Sequence, residues 1–318
     1  MSTQQMGPVL SGAPAGFSHT NAGGQPQGGN SSAAALLSYD VGHNLPWGWR
    51  VSLYTWTKGL AAGIYLLAAA LVFTGTVADT SPLWRFATPV GSGALLGVTG
   101  ALLISDLKHP RRFYMIFTHP QWRSWLVRGS IIIGAYSVVL AIHFLAGLIG
   151  LTSLLSVLSL VGVPLAASTA VYTGFLFAQA KARDLWQSPL LPPHFLVQAI
   201  MVGAAALVPA AVIMDSAAVR VIAWVLAFSA AVHLILVLSE TTLPDVTAHA
   251  RLARHNMVRG RNAAFFWLGG ICVATAMLAP ALAALAPWLG VLVCPLALVG
   301  MLAYEHAYVQ AGQSVPLA

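Results

Sequence analysis

Residues 195–238 read FLVQAIMVGAAALVPAAVIMDSAAVRVIAWVLAFSAAVHLILVL. Asp215 and Arg220 are the two formally charged residues in this stretch. A bilayer core of about 30 Å needs about 20 predominantly apolar residues to be crossed by one helix. The stretch therefore predicts two membrane-spanning helices, 195–214 and 217–238, that are separated at Asp215-Ser216.

The composition of the whole chain agrees with this local pattern. Its 318 residues are 58% hydrophobic and 7% charged, whereas a soluble domain is about 25% charged. This composition excludes soluble enzymes, disulfide scaffolds and disordered proteins, and it predicts an all-α integral membrane protein. Cys272 and Cys294 lie in apolar segments, without the spacing of a metal site or a convincing disulfide.

Hydropathy predicts eight transmembrane helices and four regions along the chain. Residues 1–38 contain no Asp, Glu, Lys or Arg and are expected to form a disordered polar tail. Two four-helix bundles are expected over 39–178 and 195–318, joined by a linker at 179–194. The predicted spans are 52–77, 88–105, 126–149, 155–178, 195–214, 217–238, 264–283 and 287–308.

The charges are distributed unequally between the two ends of the predicted bundle. Thirteen Lys and Arg residues fall at the end that holds the termini, and only Arg85 and Arg220 fall at the other. Because cytoplasmic loops carry an excess of Lys and Arg, we expect the termini to lie in the cytoplasm. The net charge of +7 is explained by this orientation and does not predict nucleic-acid binding.

Small residues predict a close contact between the first two spans. Gly59 and Gly63 form a GxxxG pattern in the first span, and the second span carries four glycines. Small residues let membrane helices approach closely. The glycines of the second span are Gly91, Gly93, Gly97 and Gly100.

Several ionisable residues fall inside predicted spans, where they are costly and usually functional. Lys58 lies in the first span, His233 near the end of the sixth, and Glu305-His306 near the end of the eighth. Lys58 could instead snorkel to the interface, and the histidines could be packing residues. A transporter using Lys58, Glu240 and Glu305 stays an alternative, as does a haem b anchor with His233 and His306 as ligands.

Three sequence motifs resemble the NrfD/PsrC family of membrane anchor subunits. Residues 47–63, with Trp47-Gly48-Trp49 and the Gly59–Gly63 core, resemble the opening helix of the family. Residues 103–113 resemble its Asp-Leu-x-x-Pro-x-Arg-Phe loop, and 124–136 resemble the start of its next helix. These motifs cover about 45–136, and the C-terminal half matches in hydropathy alone.

The resemblance implies a quinone-interacting anchor of a respiratory oxidoreductase complex. Its partners would be an iron–sulfur subunit and a molybdopterin-type catalytic subunit, with lipid and quinone in the membrane. Menaquinone or ubiquinone would be an exchangeable substrate, and no haem, iron–sulfur cluster or metal is expected in this chain. The charge asymmetry places the partner on the cytoplasmic side, as for a formate-dehydrogenase-like enzyme.

The resemblance also implies site residues at the end of the bundle that faces the partner. Quinone-binding candidates are Arg50, Tyr54, Lys58, Asp106 and Arg112. Proton-relay candidates are His233, Glu240 and Glu305. Partner-docking candidates are Lys108, Arg111 and Arg123.

Overall fold

A computed structural model describes residues 47–181, 183–244 and 247–315. In these ranges the chain is helical, without strands, and eight helices are long and apolar enough to cross a membrane. The prediction of an all-α membrane protein with eight spans is confirmed, whereas the predicted tail over 1–38 lies outside the described residues. The spans are α1 Trp49–Phe73, α2 Leu83–Asp106, α3 Trp125–Leu148, α4 Thr152–Ala178, α5 Leu191–Met214, α6 Ser216–Thr242, α8 Ala263–Leu285 and α9 Pro287–Gly312.

The ends of the spans follow local backbone chemistry. Gly75 and Gly150, just after α1 and α3, have φ angles of +71° and +74°, which glycine adopts without steric cost. Asp215 separates α5 from α6, and its carboxylate accepts a 2.9 Å hydrogen bond from Ser81 Oγ. The sequence analysis placed the start of α5 four residues too late, at 195, whereas the helix begins at Leu191 with Pro192 and Pro193 in its first turn, where proline is tolerated.

Helix α1 lies at the centre of the packing. It contacts α2, α4, α5 and α9 and is the most buried span. A Cβ added to Gly63 would lie 1.7 Å from the carbonyl oxygen of Ala199 in α5, and one on Gly203 would lie 2.2 Å from the Gly63 backbone. The closest small-residue contact is therefore between α1 and α5.

The glycine prediction was wrong about the partner of Gly63. Added Cβ atoms on Gly59, Gly93, Gly97 and Gly100 would meet nothing within 4 Å. Helices α1 and α2 do pack together, but hydroxyl groups connect them: Ser92 Oγ donates to the Ala61 carbonyl at 2.9 Å, and Thr57 Oγ1 lies 2.8 Å from Thr99 Oγ1. The division into two four-helix bundles stays a prediction, and α1 packs against helices of both halves.

The two ends of the bundle differ in their connections. We call "basic end" the end with the segments 107–124, 179–190 and 243–262, and "far end" the end with 74–82 and 149–151. At the basic end lies a surface helix, α7 (Ala248–Val258), whose first turn is capped by a 3.1 Å hydrogen bond from Ala250 N to Thr247 Oγ1. Leu252 and Ala253 pack against Val315 near the chain's C-terminus.

A clamp at the basic end joins the beginning of α1 to the end of α9. The Gln313 side chain accepts from Trp47 N at 3.1 Å and donates to Trp47 O. The Trp47 ring stacks on Trp186 with centroids 4.5 Å apart. Arg183 donates to the carbonyls of Gln313 and Val315. These contacts connect the segment before α1, the α4–α5 connection and the segment after α9.

Candidate functional site

The structure separates the five predicted quinone-binding residues into a surface group and a buried group. Arg50, Asp106 and Arg112 lie at the surface of the basic end. Arg50 Nη1 is 3.9 Å from Asp106 Oδ1, in a partly exposed ion pair. Arg112 ends a 3-10 turn that begins at Pro110. The structure thus brings Arg50 and Asp106 together in this surface group.

Tyr54 and Lys58 form the buried group on α1, with 4% and 1% of their surfaces exposed. Lys58 Nζ donates to the Ala170 carbonyl of α4 at 2.8 Å. It lies 5.0 Å from the ring centre of Tyr172 and 5.3 Å from that of Phe195. An ammonium near aromatic faces is attracted by their quadrupoles. Lys58 therefore does not snorkel to the interface but is held inside the bundle.

A histidine chain, which we define as His233, His194, Glu240 and Tyr304, joins α5, α6 and α9. His194 Nε2 is 2.8 Å from His233 Nδ1, and His194 Nδ1 is 3.2 Å from Glu240 Oε1. Tyr304 donates to Glu240 Oε2 at 3.5 Å. His194 and His233 are fully buried, whereas Glu240 is partly exposed towards the basic end. Consecutive titratable groups at these distances can pass protons between the bundle interior and the basic end.

The proton positions in the histidine chain depend on the charge of Glu240 and His194. If Glu240 is a carboxylate and His194 is neutral, His194 Nδ1 donates to Glu240 and His194 Nε2 accepts from His233 Nδ1. In that arrangement His233 Nε2 carries a lone pair. Among the described residues, no group forms a hydrogen bond with His233 Nε2.

Glu305 and His194 line a small cavity inside the bundle. The cavity measures about 10 Å³, close to the smallest space that admits one water molecule. Within the described ranges, Glu305 Oε2 and Gln198 Oε1 also lack a hydrogen-bond partner. The residues that line the cavity are Thr55, Phe177, Leu191, His194, Phe195, Gln198, Tyr304, Glu305, Tyr308 and Val309.

The predicted proton-relay residues thus meet around His194. His233 and Glu240 contact it directly, and Glu305 shares the cavity with it. The sequence reasoning did not single out Tyr304 or Gln198. Both could have been found from their positions: Tyr304 adjoins Glu305 in α9, and Gln198 follows His194 by one helical turn and therefore lies on the same face of α5.

The histidines that were weighed as haem ligands have separate protein partners. His306 Nδ1 lies 3.2 Å from Ser52 Oγ, and its ring packs edge-on against Phe265. His233 contacts His194 and Tyr304 instead. In the part of the chain that the structure describes, no group of three or more His, Cys, Asp or Glu residues is arranged to hold a metal ion.

The predicted docking residues lie on the exposed segment 107–124. Lys108, Arg111 and Arg123 are exposed there, together with large aromatic side chains. Its short helix, Met115–Thr118, contacts α3. The exposed aromatic residues of this segment are Phe113, Tyr114, Phe117 and Trp122.

Comparison with known proteins identifies the family of this eight-span protein. The sequence model of the family described as "Polysulphide reductase, NrfD" matches residues 39–317. The chain belongs to the NrfD family. The resemblance drawn from residues 45–136 is therefore confirmed, and it extends through the C-terminal half, where the sequence motifs gave no assignment.

Individual relatives share between 24% and 29% of their aligned residues with this protein. The protein is 29% identical to "Protein NrfD" of Escherichia coli over 187 residues, 51% of this sequence and 58% of that protein. It is 27% identical to a polysulfide reductase protein of Wolinella succinogenes over 179 residues, 49% and 55% of the two sequences. It is 24% identical to a putative dimethyl sulfoxide reductase membrane subunit of Halobacterium salinarum over 245 residues, 67% and 56% of the two sequences. These matches span somewhat more than half the length of each relative.

Proposed function

We propose that this NrfD-family protein is the quinone-interacting membrane subunit of a respiratory oxidoreductase complex. It exchanges electrons between a docked iron–sulfur subunit and the membrane quinone pool. The observation that carries the proposal is the cluster of buried titratable groups around His194, which reaches Glu240 at the basic end. Buried ionisable groups in a membrane bundle are costly and mark functional pathways. The names of two relatives, a polysulfide reductase protein and a dimethyl sulfoxide reductase membrane subunit, support a role in such a complex.

The buried groups match the chemistry of quinone conversion. Reduction of a quinone to a quinol takes up an electron pair and a pair of protons at the carbonyl oxygens. Tyr54 and Lys58 supply donors inside the bundle, and the histidine chain and Glu305 exchange protons with the basic end. The electrons come from or go to the iron–sulfur subunit, since Cys272 and Cys294 lie on apolar spans and cannot together hold a cluster.

The surface group has a different role in this proposal. Arg50, Asp106 and Arg112 border the partner-facing surface above the buried group, where they support the quinone site from the rim. Lys108, Arg111 and Arg123 bind acidic residues of the iron–sulfur subunit, which itself carries a molybdopterin-type catalytic subunit. Opposite charges across such an interface accelerate and orient association.

The basic end faces the cytoplasm in this proposal. Its segments hold most of the Lys and Arg residues, whereas exposed Arg220 lies at the far end. The protein would then sit in a bacterial cytoplasmic membrane with its partner on the cytoplasmic side. Cysteine labelling at Ser105 or Ser314 of intact cells, compared with labelling at Thr76, tests this orientation.

Quinone binding by the full-length protein in lipid nanodiscs tests the function. A quinone analogue should quench tryptophan fluorescence saturably, and Tyr54→Phe should weaken its binding by up to about tenfold through the lost hydroxyl. Asp106→Asn should weaken it less. Tyr114→Phe, at an exposed tyrosine of the docking segment, is the matched control and should bind as the wild type does.

Two outcomes would contradict this assignment at different levels. Unchanged binding in both Tyr54→Phe and Asp106→Asn removes these two residues from the site. Failure of the wild-type protein to bind any quinone analogue overturns the proposed function itself.

A further inference from the structure

Helices α3 and α4 form a hairpin whose apolar sequence is bounded by a cation on each side. No Asp, Glu, Lys or Arg occurs from Gly129 to Ala180, and the first formal charges outside this range are Arg128 and Lys181. The two helices pack together and are joined at the far end by the short connection 149–151, so both cations lie at the basic end. The hairpin therefore carries a pair of positive charges at the edge of its apolar surface.

The exposed face of α3 places Arg128 at the level of the lipid headgroups. Arg128 is exposed on the same side of the helix as Val138 and Ile142, which are 58% and 40% exposed. From Ile131 to its end at Leu148, α3 is about 26 Å long, close to the roughly 30 Å thickness of the hydrocarbon core. Arg128 lies about 5 Å beyond Ile131, which is the depth of the headgroup region.

The guanidinium of Arg128 is held in place from one side. Its Nε donates to the Trp122 carbonyl at 2.6 Å, and its carbon Cζ lies 4.9 Å from the centre of the Trp125 ring. The Trp125 ring stacks in turn on Phe175 of α4, with centroids 4.5 Å apart. Among the described residues, no group forms a hydrogen bond or an ion pair with Nη1 or Nη2 of Arg128. These two nitrogens are the donors that can bind two oxygens of one phosphate.

Lys181 supplies the second positive charge at this end of the hairpin. The Gln179 side chain accepts from Trp125 N at 2.8 Å and donates to the Arg123 carbonyl at 2.9 Å, so the end of α4 is attached to the start of α3. Lys181 follows Gln179 by two residues and is exposed. In the part of the chain that the structure describes, neither Lys181 nor Arg128 forms an ion pair with a carboxylate. A negatively charged ligand would therefore meet no competing acidic side chain.

The surroundings of Arg128 favour a lipid over a soluble anion. Trp122 and Phe175 are 61% and 39% exposed beside it, and tryptophan is enriched where a membrane meets water. A soluble phosphate or an acidic peptide would cover the guanidinium but leave the apolar face of α3 to other molecules, whereas one phospholipid covers both. A zwitterionic lipid carries its own cation next to the phosphate. A lipid with a net negative charge matches the two cations better.

We propose that Arg128 and Lys181, at the basic end of the α3–α4 hairpin, bind the headgroup of an anionic phospholipid. Arg128 donates from Nη1 and Nη2 to the phosphate, Lys181 adds its charge, and an acyl chain lies along the exposed face of α3. The inference goes beyond the proposed function, because neither cation is a candidate for quinone binding, proton relay or partner docking. Since Arg128 also holds the Trp122 carbonyl, the lipid and the end of the segment 107–124 share one guanidinium.

Native mass spectrometry of the full-length protein in detergent tests the proposal. The protein is titrated with phosphatidylglycerol and with phosphatidylcholine that has the same acyl chains. Wild type should bind the first phosphatidylglycerol at least about tenfold more tightly. Arg128→Gln should reduce this preference to about twofold or less, and Arg128→Lys, which keeps the charge but loses the paired donors, should give an intermediate value. Arg251→Gln, the matched control, removes an exposed cation of α7 at the same end and should keep the wild-type preference.

Two results of these titrations would overturn the proposal. An equal preference in Arg128→Gln and Arg251→Gln would mean that phosphatidylglycerol responds to the overall positive charge of the basic end. Displacement of phosphatidylglycerol from wild type by glycerol phosphate at a similar concentration would show a site for a soluble phosphate.

Photolabelling of wild type covers the case in which the Arg128 variants do not fold. A phosphatidylglycerol with a photoreactive diazirine in its headgroup, in nanodiscs of phosphatidylcholine, should label peptides within 122–128 and 175–181. The labelling should persist in the complex assembled with its native subunits. Its loss in the complex would show that a segment of another protein occupies Arg128, and labelling confined to other peptides would place the lipid elsewhere. Either result overturns the proposal.

Discussion

Two buried histidines, one in each half of the bundle, differ in how completely they are bonded. In the far half, His143 Nε2 lies 3.1 Å from the Trp84 carbonyl and its Nδ1 lies 3.4 Å from the Tyr65 hydroxyl. In the basic half, His233 has His194 on one nitrogen, and the structure gives its other nitrogen no partner among the described residues. Buried polar groups are almost always satisfied. A satisfied histidine stabilises the fold, and an unsatisfied one is free to take part in chemistry.

The comparison extends to the neighbours of each histidine. Tyr136, which packs edge-on against Tyr65, donates to the Ala61 carbonyl at 3.2 Å, so its hydroxyl is also paired. Around His194, by contrast, both Gln198 and Glu305 have a side-chain oxygen without a partner in the described structure. The difference teaches that buried polarity by itself does not locate a site in this bundle. Around His194, unpaired side-chain atoms lie next to hydrogen-bonded titratable groups, and this combination distinguishes the basic half.

The largest expected effect is on electron transfer after loss of His233. In the complex assembled with its native subunits, His233→Ala should slow quinone-linked turnover by about 100-fold or more, the size of a lost acid–base group. Its thermal unfolding temperature should also fall, because a fully buried side chain is removed, so turnover is compared per folded molecule. Turnover with a quinone and a thermal melt measure the two quantities. Wild-type turnover in this variant would break the distinction between the histidines.

The counterpart, His143→Ala, should act on stability instead. It leaves a cavity and removes the partners of Trp84 O and Tyr65, at a cost of about 2–4 kcal/mol. Turnover per folded molecule should stay near the wild-type value. Chemical unfolding in lipid, followed by turnover normalised to folded protein, provides the test. A loss of turnover without a loss of stability would place His143 in the mechanism.

A third change acts on the contact that holds α1 against α5 between the two halves. Gly63→Val should destabilise the fold by about 1–3 kcal/mol or more, because its first carbon atom already overlaps Ala199 O. Gly59→Ala, in the same helix with open space around it, should be tolerated. The yield of folded protein after extraction separates the two. Equal yields would show that the helices shift apart easily.

The smallest expected effect concerns the basic surface. Arg111→Glu should weaken binding of the iron–sulfur subunit severalfold, and more at low salt, because exposed charges are screened. Arg220→Glu at the far end makes the same charge change and should leave binding unaffected. Copurification at a series of salt concentrations measures both. Equal losses in the two variants would mean that overall charge, and not the basic end, attracts the partner.

The sequence was sufficient to predict the number of spans, because a run of about 20 apolar residues predicts a span without any knowledge of its contacts. The pairing of His194 with His233 and Glu240 was also within reach, since Asp215 lies roughly midway between these residues and a tight turn brings them to similar depths. The contact of Lys58 with Phe195 could not be predicted from the sequence. It depends on α1 packing against α5, and in an apolar solvent neither helix shows a polar face that identifies its partner.

The clamp between Trp47 and Gln313 has a consequence for biogenesis. Its two members stand before the first span and after the last, so it forms only when the whole bundle has been synthesised. Trp186 and Arg183 join the same contact from the middle of the sequence, which makes it a point where three separately inserted segments meet. The basic end therefore acquires its final shape late, and a redox partner that recognises this shape would bind only completed molecules.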